Sequence, residues 1–201
     1  MSTGQPRSRQ IAERAEATRA TLIAVARRMF VEKGYFNTGT EEIVQEAALT
    51  RGALYHHFAD KKALFRAVFE AVEDDLLANA AAGVVTAHSL ARLRNGLIGF
   101  LDASLTPEVQ RILLVDGPAV LGWPEWRALE ATYGLGAIRA LLQAAITEGT
   151  LPDQPIDALA HMLLASVDEA ALYIANAPDP LAARDMAVGA MDALLGGLAQ
   201  H

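Results

Sequence analysis

The densest group of side chains able to do chemistry lies between Thr40 and Lys62. Hydroxyls stand at Thr40, Thr50 and Tyr55, an imidazole at His56, a guanidinium at Arg51 and an ammonium at Lys61. Groups of this kind bind phosphate oxygens and fix the register of a bound polyanion. Gly52 and Ala53 follow Arg51, and residues this small let a partner approach the backbone. Covalent chemistry has no comparable group. The chain has no cysteine, which removes disulfides, thiolate nucleophiles, zinc–thiolate sites and iron–sulfur clusters. It contains no His-Glu-x-x-His, no Glu-x-x-His, no glycine-rich phosphate loop and no nucleophile elbow. His56 and His57 are adjacent, and adjacent helical side chains do not face each other, so they make no metal pair. Asp157, His161 and Asp168 fall at offsets of four and seven and can share a helical face. That face could orient a ligand, or it could be a structural histidine beside surface acids. No cofactor and no metal are expected.

Two short helices must position the first group. Thr40 can cap one, with Glu41 and Glu42 in its first turn and Ile43, Val44 and Ala47 on its apolar side. Ala48 and Leu49 make a tight turn, and Thr50 caps a second helix reaching about His57. This is a helix-turn-helix layout, whose second helix enters the major groove of DNA with its N-terminal end towards the base edges. Upstream, Leu22, Val25, Ala26, Met29 and Phe30 recur with helical spacing over 18–33, and Gly34 suits a left-handed C-cap. Asp60 caps a helix over 61–82 with the stripe Leu64, Phe65, Val68, Phe69, Val72 and Leu76. Further helices follow over 87–104, from 106, and over 124–148, 157–176 and 181–198, with a break at 116–122. No β-alternation and no repeat occurs. The sequence predicts an all-α chain of about nine helices. It divides into a flexible basic arm (1–17), a helix-turn-helix domain (18–60) and a linking helix with a C-terminal body (61–201).

Composition agrees with this division. Hydrophobic residues make up 52% of the 201, enough for a sizeable core. The net charge of −7 hides an asymmetry. Residues 1–70 carry eleven Lys and Arg against eight Asp and Glu, whereas the remainder carries six against sixteen. A basic head on an acidic body suits a polyanion-binding module whose body repels the same polymer. The first ten residues have no apolar stretch of the secretory type, and no transmembrane helix is expected. A cytoplasmic protein fits these features.

The strings Phe30-Val-Glu-Lys-Gly-Tyr-Phe-Asn-Thr-Gly-Thr40, Thr50-Arg-Gly-Ala-Leu-Tyr-His-His-Phe58 and Asp60-Lys-Lys-Ala-Leu-Phe65 resemble the TetR family of bacterial transcriptional repressors, over about residues 18–68. The segment Leu114 to Trp123, with Trp126 and Tyr133 after it, resembles a recurrent C-terminal type within that family. The resemblance implies an all-α homodimer with a DNA-binding head and a ligand-binding body. It implies that Thr40 donates to a phosphate and that Thr50 contacts phosphate or base. Arg51 would read a base, since guanidinium can pair with guanine O6 and N7. Gly52 and Ala53 would permit close approach, Tyr55 and His56 would reach the backbone, and Lys61 would bind a phosphate. Leu54 and Phe58 match core positions. The family usually has glycine where this chain has Ala48, and a left-handed alanine there would cost roughly 1–2 kcal/mol.

For the body, the candidate ligand residues are Trp126, Tyr133, His161 and Asp168, around a mainly apolar pocket. The last two helices, rich in Ala, Leu, Met and Gly, would form the dimer interface, and a two-fold dimer matches palindromic double-stranded DNA. The expected function is a homodimeric repressor released by a small hydrophobic effector. The alternatives are a helical-bundle enzyme or carrier that has lost DNA binding, or a TetR-type activator without a ligand.

Overall fold

The computed structural model describes residues 5–82 and 88–199, and among these every regular element is helical. Nine helical runs follow one another: α1 (Gln5–Lys33), α2 (Thr40–Glu46), α3 (Arg51–His57), α4 (Lys61–Ala82), α5 (Ser89–Ala103), α6 (107–121), α7 (123–147), α8 (Ile156–Ala175) and α9 (Pro180–Leu198). The chain divides into two compact units, Met1–Glu70 and Ala71–His201. The first ten residues of α4 fall with the first unit, so the division comes later than the expected boundary at residue 60.

The expected arm over 1–17 is helical from Gln5 onward, and residues 1–4 lie outside the described ones. The reason is local. Residues 5–17 are mostly Ala, Arg, Glu and Gln, which are strong helix formers, and Arg9 pairs with Glu13 one turn on at 2.9 Å. The packed half of α1 can then propagate its helix backwards. Leu22, Ala26, Met29 and Phe30 are buried, and Val25 is half-buried. Gly34 ends the helix at φ 79°, its N–H donating to the Phe30 carbonyl.

Three helices and the start of α4 make the first unit. The rings of Phe30, Tyr35 and Phe65 cluster with centroids 5.2–5.6 Å apart. Leu54 and Phe58 are buried, as their matched positions imply. Gly39, not Thr40, is the residue before α2, and the Glu42 carboxylate accepts its N–H at 3.3 Å. Thr40 is therefore the first helical residue, because Glu42 reaches back to do the capping. Thr50 caps α3 by accepting the Ala53 N–H at 3.2 Å. Asp60 caps α4 through the Ala63 N–H at 2.7 Å.

The second unit is a bundle in which α5, α7, α8 and α9 pack on one core. Leu93, Leu97 and Leu101 meet Ile138 and Leu142, then Leu163, Val167 and Ile174, then Ala187, Met191 and Leu195. Arg94 clasps Asp192 with two hydrogen bonds, and Glu148 accepts both the N–H and the hydroxyl of Ser89. The break expected over 116–122 is confined to Gly122 at φ 83°. A π-helical run, Val109–Asp116, precedes it and passes into Gly117–Leu121. Pro118 has no N–H, and it sits in the first turn after the change of helical register, where a missing donor is tolerated. A second π-helical turn, Ala131–Leu135, lies inside α7. Helix α8 is long and apolar enough to cross a membrane by length and composition alone, but it supplies much of this core.

Ala48 adopts φ 52° and is alone among the described non-glycine residues in the left-handed region. The strain anticipated from the sequence is present. Ala48→Gly is expected to raise the unfolding free energy by about 1 kcal/mol, the left-handed penalty less the added freedom of the unfolded chain. Urea denaturation checks it, and an unchanged midpoint would show that the turn relaxes without penalty.

Candidate nucleic-acid interface and ligand cavity

On the first unit, α3 buries Leu54 and exposes Thr50, Arg51, Gly52, Tyr55 and His56, with Ala53 half-buried. These exposed residues occupy the N-terminal turn and one flank of the helix. A Cβ on Gly52 would meet nothing nearer than the Thr50 hydroxyl at 3.8 Å, so no contact within the unit demands a glycine. The Arg51 guanidinium donates to Glu41 at 2.6 Å and lies 5.4 Å from the centre of the Tyr55 ring. Glu41 also accepts from the Thr40 hydroxyl at 3.1 Å. Its own backbone hydrogen bond, Thr40 and Arg51 together hold its carboxyl below the usual range. Thr40, Glu41, Arg51 and Tyr55 thus form one exposed chain of contacts joining α2 to α3.

Lys61 is placed differently from the rest. Its ammonium donates to the carbonyls of Tyr35 and Thr38, both at 2.9 Å, and sits 4.0 Å from the centre of the Tyr35 ring. Partial burial pulls its pKa down. These bonds make Lys61 a clamp on the segment between α1 and α2. The carbonyls of that segment need a donor, and Lys61 at the start of α4 supplies it.

In the second unit, a cavity of about 890 Å³ opens between α4, α5, α7 and α8. Its wall is mainly apolar, with Leu76, Leu93, Leu97, Phe100, Ile138 and Leu141 prominent. Three buried carboxyls share the same wall: Glu73 of α4, Glu130 of α7 and Asp168 of α8, at 7%, 5% and 7% exposure. Burial, with the charges of Asp168 and Asp74, raises Glu73 to about 7. Burial and the neighbouring acids raise Glu130 to about 9. Asp168 rises to about 6, restrained by its hydrogen bond with Glu130 and by the Arg127 guanidinium, which donates to it at 3.3 Å. A neutral Glu130 beside an ionised Asp168 is the arrangement these environments favour.

Residues 22–68 match the family described as bacterial regulatory proteins, tetR family. Residues 90–198 match the tetracyclin repressor-like C-terminal domain. The chain belongs to the TetR family of transcriptional regulators. A TetR-family regulator from Pectobacterium atrosepticum is 36% identical, with a TM-score of 0.81 over 94% of this chain and 97% of that one. The HTH-type transcriptional repressor Rv1474c of Mycobacterium tuberculosis is 31% identical over 82% of this chain and 86% of its own length. The Tn10 TetC protein of Escherichia coli is 28% identical over 75% and 77%.

Within this TetR-family body, the sequence-predicted ligand residues separate. Asp168 lines the cavity, but Trp126, Tyr133 and His161 do not. The cavity row on α7 is Glu130, Gly134, Ala137, Leu141 and Ala144, and Trp126 lies one turn beyond its end. Trp126 is buried at 7% exposure against Trp123, which is 64% exposed, and Arg127 stacks over both rings. His161 faces outward on α8, and Asp157 pairs with Arg139 at 2.9 Å, so the supposed face of Asp157, His161 and Asp168 does not converge. Glu73 and Glu130 were missed. The available signal was an acid in each of two otherwise apolar helical stripes, with Gly134 one turn after Glu130.

Burial keeps a proton on Glu130 up to about pH 9, whereas the unfolded chain releases it near 4.5. Through that window the folded body holds more protons than the unfolded chain, so stability falls as pH rises. Glu130→Gln keeps a neutral hydrogen-bonding group and is expected to reduce the fall. Melting temperatures of variant and wild type should be similar near about pH 5 and separate in the variant's favour near about pH 9. Parallel curves would show that Glu130 titrates as an ordinary acid.

Proposed function

We propose that the chain is a homodimeric transcriptional repressor. It binds palindromic double-stranded DNA through α3 and leaves it when a small, mainly apolar effector enters the cavity of the body. The observation that carries this reading is the short helix α3, anchored by buried Leu54 and Phe58 while its hydroxyl, guanidinium and phenol groups stay exposed. On this reading Arg51 turns from Glu41 to a base edge, and Thr40, Thr50, Tyr55 and His56 hold phosphates, with Gly52 and Ala53 allowing the approach. The exposed pair between Arg51 and Glu41 is a weak competitor, since exposed ion pairs are screened by water and salt. The effector acts by differential affinity for two arrangements of the dimer, one of which fits both half-sites. The Mycobacterium tuberculosis relative is a repressor, which supports the direction of regulation. A cytoplasmic location goes with this role.

Arg51→Ala is expected to lower affinity for DNA from upstream of the protein's own gene by about 1–3 kcal/mol, and to leave affinity for random DNA largely intact. Lys61→Ala should instead destabilise the first unit without flattening the salt dependence of DNA binding. Gel shifts at several salt concentrations separate the two. Equal loss on both DNAs for Arg51→Ala would move it to the phosphate-binding class.

The dimer reading is supported by an outward stripe. Leu181, Met186, Ala190 and Leu194 of α9 are exposed, as are Ala158, Met162, Ala165 and Tyr173 of α8, while Ala187, Met191 and Leu195 on the other side of α9 enter the core. A charge at the centre of such a stripe opposes its own copy across a two-fold axis. Ala190→Glu should therefore yield monomers by light scattering, with operator affinity reduced because the half-sites are then bound independently. A variant that stays dimeric places the interface elsewhere.

A further inference from the structure

We propose that the cavity of the body takes an amphipathic organic cation, its apolar part along α5 and α7 and its charged nitrogen against Glu73, Glu130 and Asp168. This rests on reading the body as the effector-binding part and names the chemical class of the effector.

Three observations converge. First, the acids come from three helices, α4, α7 and α8, and meet on one wall of a large apolar cavity. Second, their own pairing is incomplete. Glu73 is more than nine-tenths buried and has no hydrogen-bond or ion-pair partner among the described residues. Asp168 is better matched, accepting from Arg127 and sharing a hydrogen bond with Glu130. Buried carboxyls in folded proteins are normally paired or hydrogen-bonded, so an unmatched one facing a cavity marks a place for a ligand group. Third, the positive charge available is too little. Arg127, which does not line the cavity, serves Asp168, and Arg92, which does, acts on Glu148 and not on the three acids. An anion would meet net repulsion there. A metal ion is disfavoured too, because no group of three acids or histidines among the described residues is close enough to hold one. A spread organic cation needs only the field of the acids and the apolar wall.

The charged groups around Glu73 are Asp74 on its own helix and Asp168 on α8, and those around Glu130 are Glu73, Asp168 and Arg127. All but Arg127 are acids, so protons balance them. A bound cation takes over that task and expels protons, which makes its affinity rise with pH.

The test uses three probes with one apolar body: naphthylethylamine, naphthylethanol and naphthylacetate. Each is titrated into the full chain by calorimetry. The amine is expected to bind at least about tenfold tighter than the alcohol, the equivalent of one pKa unit of interaction, with the acetate weakest. Its affinity should rise between about pH 6 and about pH 8, the range in which Glu73 ionises. Glu73→Gln should remove about tenfold from the amine and leave the alcohol unchanged. If that variant fails to fold, Glu130→Gln is read in the same way. Equal or tighter binding of the alcohol or acetate overturns the proposal, and so does a variant that weakens all three probes alike. Upstream DNA titrated with the same samples keeps the two readings apart. Amine preference without any DNA binding overturns the repressor reading and supports the cation site, whereas DNA binding without amine preference does the reverse.

Discussion

A helix of seven residues does not persist in water, because its nucleation cost is not recovered over two turns. Everything α3 presents to solvent depends on the burial of Leu54 and Phe58, which hold it against α1 and α2. That constraint explains the rest of the first unit. The turn before α3 must be tight, so Ala48 accepts a left-handed backbone. The segment from Tyr35 to Thr38 must be fixed if α2 is to start in the right place. Lys61 supplies two of its hydrogen bonds, and the buried Thr38 hydroxyl donates back to Gly34 at 2.8 Å. Charges that look like free phosphate ligands in the sequence therefore divide into two kinds, those that build the platform and those that stand on it.

The second unit solves an opposite problem, which is to stay folded around a hollow. A dry void of 890 Å³ at about 24 cal/mol per Å³ would cost on the order of 20 kcal/mol, more than the ~5–15 kcal/mol of net stability a domain has. The cavity is consequently a place for water or a ligand, not a packing defect. Small residues make it. Gly96 and Gly99 on α5 leave open space where a Cβ would stand, and Ala137, Ala140 and Ala144 on α7 keep the facing wall back. The π-helical turn at Ala131–Leu135 brings Gly134 so near Leu164 that a Cβ there would come within 3.0 Å of its Cδ1.

These two solutions were unequally legible in the sequence. Helix number and most helix ends follow from local rules, and Gly34, Thr50 and Asp60 act as their residue types foretell. Thr40 and Pro118 mislead because a neighbour changes their setting: Glu42 takes over the cap, and a π-helical run carries the chain through Pro118. The cavity is a tertiary fact. Aromatic residues attract attention as a pocket rim, yet Trp126 fills a corner one turn beyond it. The wall is written in the inconspicuous residues, glycines and alanines at helical spacing, whose meaning appears only when two helices face each other. Asp168 stood out as a polar candidate in a largely apolar helix, and the same attention to Glu73 and Glu130 would have found the acidic end.

The acids also bear on how the body stays folded around the cavity. Removing a carboxylate from water is expensive, and a protein that buries one without a cation must leave it protonated. Glu130 follows that course, and Asp168 stays ionised because Arg127 and Glu130 both donate to it. The three carboxyls thus form a proton-balanced, nearly neutral polar end of the cavity, which an apolar core tolerates. A ligand that brings its own positive charge does not have to create a charged site from nothing. It replaces protons that burial has already placed there, so its binding energy is set by the difference between two ways of satisfying the same three carboxyls. That difference is what a ligand must supply to shift any conformational equilibrium, since equal affinity for two states moves neither.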